Sequence, residues 1–423
     1  MTAGELRPTA SMDAMMPTLA DCRTWDAEDP LAFARVRFSL PEAVIYLDGN
    51  SLGALPRSTP GRLASVLERE WGRGLIRSWN DAEWMALPSR VGARIAGLIG
   101  AADDEVIAAD STSVNLYKLA AAAVGLRRER RVLVSEPGNF PSDLYVLQGL
   151  CAALDLELRV VPSEAIPAAL TDEVALLVLT HVHYRSGRIH DMAGLTAAAQ
   201  AKGALALWDL SHSAGALPVD LNGCNVDFAV GCGYKYLNGG PGAPGYMMAA
   251  RRHHAAMGQP LTGWIGHAAP FAFGDDYVPA DGVARLLTGT PSVIGLAALE
   301  EGLKTFEGVS MQAVREKSIR LSELFLAVAR DAMGADFALA CPADAHDRGS
   351  QISLRHPHGY ALVQALIEAG VVGDFRAPDV ARFGFTPLYL SYSDVFEAGG
   401  RLKAVMDEQR WRAPRFHERK AGT

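Results

Sequence analysis

Short apolar runs alternate with longer stretches of helical periodicity along most of this chain. Residues 132–134, 156–161, 176–179, 205–208 and 226–230 are brief apolar runs ended by polar residues, the pattern of buried strands. Before the first of them and between later ones lie segments with the 3.6-residue period, at 114–124, 144–153 and 195–202. Strands separated by helices of this length predict right-handed crossovers, a mainly parallel sheet and an α/β fold. Upstream, residues up to about 44 show no period, and Trp25 and Phe38 are the expected anchors to the body. Residues 44–47 read as a short strand feeding the turn at 48–53. A helix after Pro60 is expected to turn Leu63, Val66, Leu67 and Trp71 to one face. Trp79 and Trp84 fall in a non-periodic segment ending at Pro88. Downstream, helices at 293–306 and 311–330 lead to short strands (337–339, 351–354, 371–375) and further helices (362–369, 395–409), a smaller α+β unit.

With 423 residues the chain is long enough for two domains and a large core. No uninterrupted apolar segment approaches the roughly 20 residues of a membrane helix. Residues 1–16 lack a basic start followed by an apolar block, so no secretory leader is expected there. A net charge of −8 argues against nucleic acid as a partner, and the basic stretch 410–420 reads as a solvated tail. Five cysteines without a CxxC pair suit a reducing cytoplasm.

The stretch 204–249 carries the candidate chemistry. Its first apolar run delivers Asp209, and its second feeds Gly233-Tyr234-Lys235, followed by glycines and prolines that no regular element tolerates. An acid and a lysine at the same end of neighbouring strands is what pyridoxal phosphate (PLP) requires: the lysine binds it covalently and the acid keeps the ring nitrogen protonated. Asp110-Ser111-Thr112-Ser113, at the start of a helical pattern, either cap that helix or present its N–H groups to an anion. In parallel sheets ligands bind beyond the carboxyl ends of the strands. Thr112, Phe140, Asp143, Thr180, Asp209 and Lys235 all fall at such positions. Arg382, among apolar residues, needs a carboxylate, either an internal acid or a substrate's. No metal site is expected from His181 and His183, which lack a third ligand. Gly239–Gly242 lead into an apolar run rather than a helix, which excludes a dinucleotide fingerprint.

From Tyr46 to about Asp394 the chain resembles the kynureninases, fold-type I PLP enzymes related to class V aminotransferases. The resemblance rests on YLDGNSLG, NFPSD, WDLSHSAG, GYKYLNGGPG, GWIGH, LTGTPS and RFGFTPLY in this order. It implies an N-terminal segment (1–60), a large PLP domain with a seven-stranded sheet (61–305) and a small C-terminal domain (306–423). It further implies that Lys235 holds PLP, that Asp209 pairs with the pyridinium with His212 alongside, and that Phe140 stacks on the ring. Pro141 and Ser142 belong to the same motif, and Asp143 and Thr180 would contact ring substituents. Thr112, Ser113 and Tyr234 would bind the phosphate, with Tyr234 a second candidate for proton transfer. Trp264 and Thr290 would come from the partner subunit of a homodimer, and Arg382 would take the substrate α-carboxylate. The implied reaction, in tryptophan catabolism, hydrolyses L-kynurenine to anthranilate and L-alanine. Vertebrate relatives, which favour the 3-hydroxylated substrate, have histidine at the position of Trp79 and asparagine at that of Thr290. The resemblance therefore implies a preference for L-kynurenine, as in bacterial members.

Two rivals remain at this stage. Cys341, 106 residues after Lys235, stands roughly where a cysteine desulfurase keeps its nucleophile, but its apolar neighbours argue against a reactive thiol. A PLP-holding module without turnover is the other, and Arg382 argues against it.

Overall fold

The computed structural model describes residues 16–420. The N-terminal stretch read as lacking a leader lies outside them except for its last residue, Met16. Among the described residues, seven strands form one sheet, in the spatial order Val106–Ala109, Gly245–Ala249, Phe228–Cys232, Leu205–Asp209, Val174–Thr180, Val132–Ser135, Glu157–Val160. Gly245–Ala249 runs antiparallel to both neighbours, and the remaining pairings are parallel. Four of the five expected runs became strands because they are apolar on both faces and covered by helices: Val132–Ser135, Val174–Thr180, Leu205–Asp209 and Phe228–Cys232 are buried throughout, whereas Glu157–Val160 is a partly exposed edge strand. The crossover helices are Thr112–Gly125, Pro141–Leu154 and Met192–Ala201. No helix among the described residues is long and apolar enough to cross a membrane.

A second sheet of four strands, Asp374–Arg376, Val380–Gly384, Gln351–Arg355 and Ala338–Leu339 in spatial order, is antiparallel. The helices Met311–Ala329, Gly359–Glu368 and Tyr392–Asp407 accompany it. Ile45–Tyr46 pairs in parallel with Val371–Val372, which ties the N-terminal segment to this part of the chain.

Several local expectations are corrected. The segment before residue 44 contains the helix Leu19–Ala27, started by a Thr18–Asp21 capping box. Trp25 meets Tyr392 edge to face at 5.7 Å, and Phe38 meets Tyr389 at 5.2 Å, so both anchors hold. The helix after Pro60, Thr59–Ser65, continues as a π-helical stretch, Val66–Gly74, whose extra residue per turn breaks the assumed face. Val66 is buried, whereas Leu67 and Trp71 are exposed. The run 371–375 divides between two sheets, and Val380–Gly384, which carries Arg382, is a strand that the sequence reading did not separate.

Candidate active site

The carboxyl ends of the parallel strands converge on a cavity of about 150 Å³. Ser111, Thr112, Ser113, Phe140, Ser142, Asp143, Thr180, Asp209, His212, Tyr234 and Lys235 all line it. Thr180 and Asp209 face each other in register on adjacent strands, so the sheet fixes their separation. Asp209 accepts the Ser211 N–H at Oδ1 (2.7 Å), which orients its carboxylate. Phe140 precedes Pro141, the first residue of the helix Pro141–Leu154, so the aromatic ring and Asp143 flank one helix start. Lys235 follows the strand Phe228–Cys232. Its loop is held by a hydrogen bond from Gly53 N to Tyr234 O (2.8 Å), and a Cβ at Gly53 would come within 2.4 Å of Lys235 O. The glycine of YLDGNSLG thus lets the N-terminal segment press on the lysine loop.

Lys235 Nζ sits 3.0 Å from His212 Nε2, 5.5 Å from the centroid of the Phe140 ring and 5.8 Å from that of Tyr234. Burial, reinforced by Lys235, holds the His212 imidazole well below its ordinary pKa, so it is neutral. Burial raises Asp143 well above the carboxylate range, with the Asp209 charge adding to it, and burial raises Asp209 as well. Asp143 Oδ2 and His212 Nδ1 are buried without a hydrogen-bond partner. Two desolvated carboxyls beside an aromatic wall and an amine, with orphaned polar atoms between them, fit a flat cationic ring such as PLP's.

At the other end, Ser111 caps the helix Thr112–Gly125 by accepting the Val114 N–H. The capping reading and the anion reading are therefore compatible, since the cap leaves the first N–H groups of a 14-residue helix facing outward. An adjoining cavity of about 410 Å³ shares Ser111, Thr112 and Tyr234 and is closed by residues 287–292, including Thr290 of the same chain. Three cavity residues were not assigned from sequence. Ser111 and Ser211 adjoin assigned residues and were within reach. Tyr184, which meets Phe140 edge to face at 5.2 Å, depends on how the loop after Thr180 folds back, through the Val182–Ile189 bridge.

Thr180 lines the cavity with its hydroxyl already engaged, whereas Trp79, Trp264 and Arg382 are not gathered into the lining. Thr180 Oγ1 is turned toward Asn139 Oδ1. Trp79, on the short helix Ser78–Asp81, packs edge to face on Trp84 at 5.7 Å. Trp264 packs against Phe271 and Phe273. Arg382 is fully buried and has found an internal acid. Its Nε donates to Asp374 Oδ1 (2.8 Å), its Nη2 to Asp374 Oδ2 and to Ser51 Oγ (2.8 Å), and its Nη1 to Tyr184 O (2.6 Å). Of the two partners left open for this arginine, the carboxylate is that of Asp374. Cys341 is buried, and burial raises its thiol pKa, the opposite of what a nucleophile needs.

Comparison with known proteins decides the family. The chain is 51% identical over 416 residues to a kynureninase of Burkholderia mallei, covering 96% of this chain and all of that one. It is 50% identical over 406 residues to the kynureninase of Deinococcus radiodurans, covering 94% of this chain and 99% of that one. Residues 314–402 match the model of the kynureninase C-terminal domain. The chain belongs to the kynureninase family. This kynureninase is accordingly a PLP-dependent hydrolase of tryptophan catabolism. Its fold is shared with a cysteine desulfurase of Thermococcus onnurineus (TM-score 0.75, 19% identity, 89% of this chain and 98% of that one). A variant of C-DES with glycine covalently linked to its PLP cofactor gives a TM-score of 0.76 at 17% identity, covering 87% of this chain and 98% of that one.

Proposed function

We propose that this kynureninase hydrolyses L-kynurenine to anthranilate and L-alanine and prefers it to 3-hydroxykynurenine. The observation that carries the reading is the placement of Lys235 Nζ in one cavity with Asp209, Asp143, Phe140 and His212. Bound PLP supplies an electron sink for charge developing at the carbons of an attached amino acid. The residues of the chain then have separable tasks. Lys235 holds the cofactor and, released by the substrate amine, moves the proton at Cα. Asp209 keeps the ring nitrogen protonated, and neutral His212 beside Lys235 adds no competing charge. Phe140 supports one face of the ring. Thr112 and Ser113, at a helix N-terminus, hold the phosphate with Tyr234. Burial raises the Tyr234 phenol above its ordinary pKa, which keeps it protonated and able to donate at the γ-carbonyl of the substrate.

Arg382 takes the α-carboxylate by exchanging the Tyr184 carbonyl on its Nη1 for it, with Asp374 on Nε and Nη2 fixing the plane of the guanidinium. The preference for the unhydroxylated ring rests on Trp79 and Thr290, neither of which offers the polar contact of the vertebrate histidine and asparagine. The missing hydrogen bond is worth on the order of 1 kcal/mol.

The working form is a homodimer in the cytoplasm, with Trp264 and Thr290 completing the partner's site. Residues 1–60, 61–305 and 306–423 act as N-terminal segment, large domain and small domain.

The test is a spectrum of the purified protein before and after L-kynurenine, followed by kcat/KM on both substrates. Anthranilate fluorescence and a higher kcat/KM on L-kynurenine are expected. No anthranilate would sink the reaction, and an equal or higher value on the hydroxylated substrate would sink the preference.

A further inference from the structure

Asp110 lines the larger cavity next to Ser111 and Thr112, with its side chain about one-third exposed (34%). A carboxylate beside the turn read as the phosphate site would repel a dianion if nothing opposed it. Lys118, further along the same helix and 0% exposed, opposes it. Its Nζ lies 2.6 Å from Asp110 Oδ2 and 2.7 Å from the carbonyl oxygen of Leu286. A fully buried lysine is rare and needs such partners. Leu286 directly precedes residues 287–292, the facing wall of the cavity, so one ammonium bridges both walls. The turn is held from a third side as well. Asp110 adopts φ +47°, and its carbonyl accepts the Gly245 N–H at 2.7 Å. A Cβ on Gly245 would stand 3.0 Å from Thr112 N.

We propose that Lys118 is a positioning residue for the cofactor phosphate, neutralising Asp110 and tying the Ser111–Ser113 turn to the loop after Leu286. The inference rests on the reading of Thr112 and Ser113 as phosphate ligands. It is tested by titrating the full chain spectroscopically with PLP and with pyridoxal, which lacks the phosphate. The ratio of the two affinities isolates the phosphate contribution. Thr112→Val checks the underlying reading by itself: a lowered ratio supports it, and an unchanged ratio removes both it and the inference. With that reading standing, Lys118→Met is expected to lower the ratio about tenfold, the order of one uncompensated nearby charge. Asp110→Asn combined with Lys118→Met is expected to bring it back to within about twofold of the parent. Equal loss of affinity for both ligands, or a double variant as weak as the single, overturns the proposal. Should Lys118→Met fail to fold, Asp110→Asn decides, since asparagine tolerates the left-handed φ. The ratio is then expected to rise, and an unchanged or lower ratio overturns the proposal.

Discussion

Lys235 Nζ and His212 Nε2 stand 3.0 Å apart in a buried pocket, an amine facing an imidazole that burial keeps neutral. A charged imidazole there would repel both the ammonium and a protonated cofactor ring, so the neutral histidine serves as a hydrogen-bond partner. Borohydride treatment followed by peptide mass spectrometry is expected to find the pyridoxyl group on Lys235. Lys235→Ala is expected to lose both the label and measurable turnover. A label elsewhere, or turnover retained, would remove Lys235 from its role.

Asp374 is the acid that Arg382 already holds, and both groups are buried. Removing one partner of a buried pair leaves the other charge uncompensated, at a cost of about 3–5 kcal/mol. Asp374→Asn should therefore lower stability by that order in urea unfolding and raise KM for L-kynurenine more than it lowers kcat. A variant as stable as the parent would show that the pair is solvated in solution.

Asp48 sits against the same cluster. Burial, with the neighbouring Asp374 charge, raises its carboxyl to about 8. The native state then holds a proton that the unfolded chain releases near its ordinary value of about 4. The stabilising contribution is complete below about pH 4, declines as pH rises, and is gone above about 8. Between those limits this group alone gives a slope of about 1.4 kcal/mol per pH unit. Asp48→Asn should flatten that slope in denaturant melts between pH 5 and 8. An unchanged slope would mean that Asp48 is ionised in the native protein.

Sharing of sites between subunits can be tested by complementation. Lys235→Ala and Trp264→Ala subunits, each inactive alone, should recover about a quarter of parental activity when unfolded together and refolded, because only mixed dimers contain one intact site. No recovery would place Trp264 in its own subunit's site, and a Trp264→Ala protein active by itself would place it outside any.

Cys341→Ser should leave kcat/KM on L-kynurenine within about twofold while lowering stability by about 1 kcal/mol, the order for an unpaired buried hydroxyl. Loss of turnover would reopen the sulfur-transfer reading.

The core of the site was legible because the parallel sheet leaves little choice. Runs such as 176–179 and 205–208 can only be buried strands, and the polar residue that ends each one must emerge at the ligand side. Thr180 and Asp209 followed from that rule, and so did Lys235. Tyr184 did not, because its position depends on a loop returning across the strand end through Val182 and Ile189. The partner of Arg382 was equally hidden: Asp374 lies eight residues away, but only the register of two antiparallel strands puts it opposite. Leu67 and Trp71 misled because the helical face was drawn with 3.6 residues per turn and the chain there is π-helical.

The single reversed strand, Gly245–Ala249, has one more implication. Cys232 and Gly245 are paired across the two strands that bracket the lysine loop, so both ends of that loop are clamped to one rung of the sheet. An extra residue between them cannot be absorbed by sliding either strand; it has to be taken up within residues 233–244, most of which are buried. Changes that broaden the substrate range of this enzyme should therefore arise by exchanging side chains in residues 233–244, and seldom by altering the length of that segment.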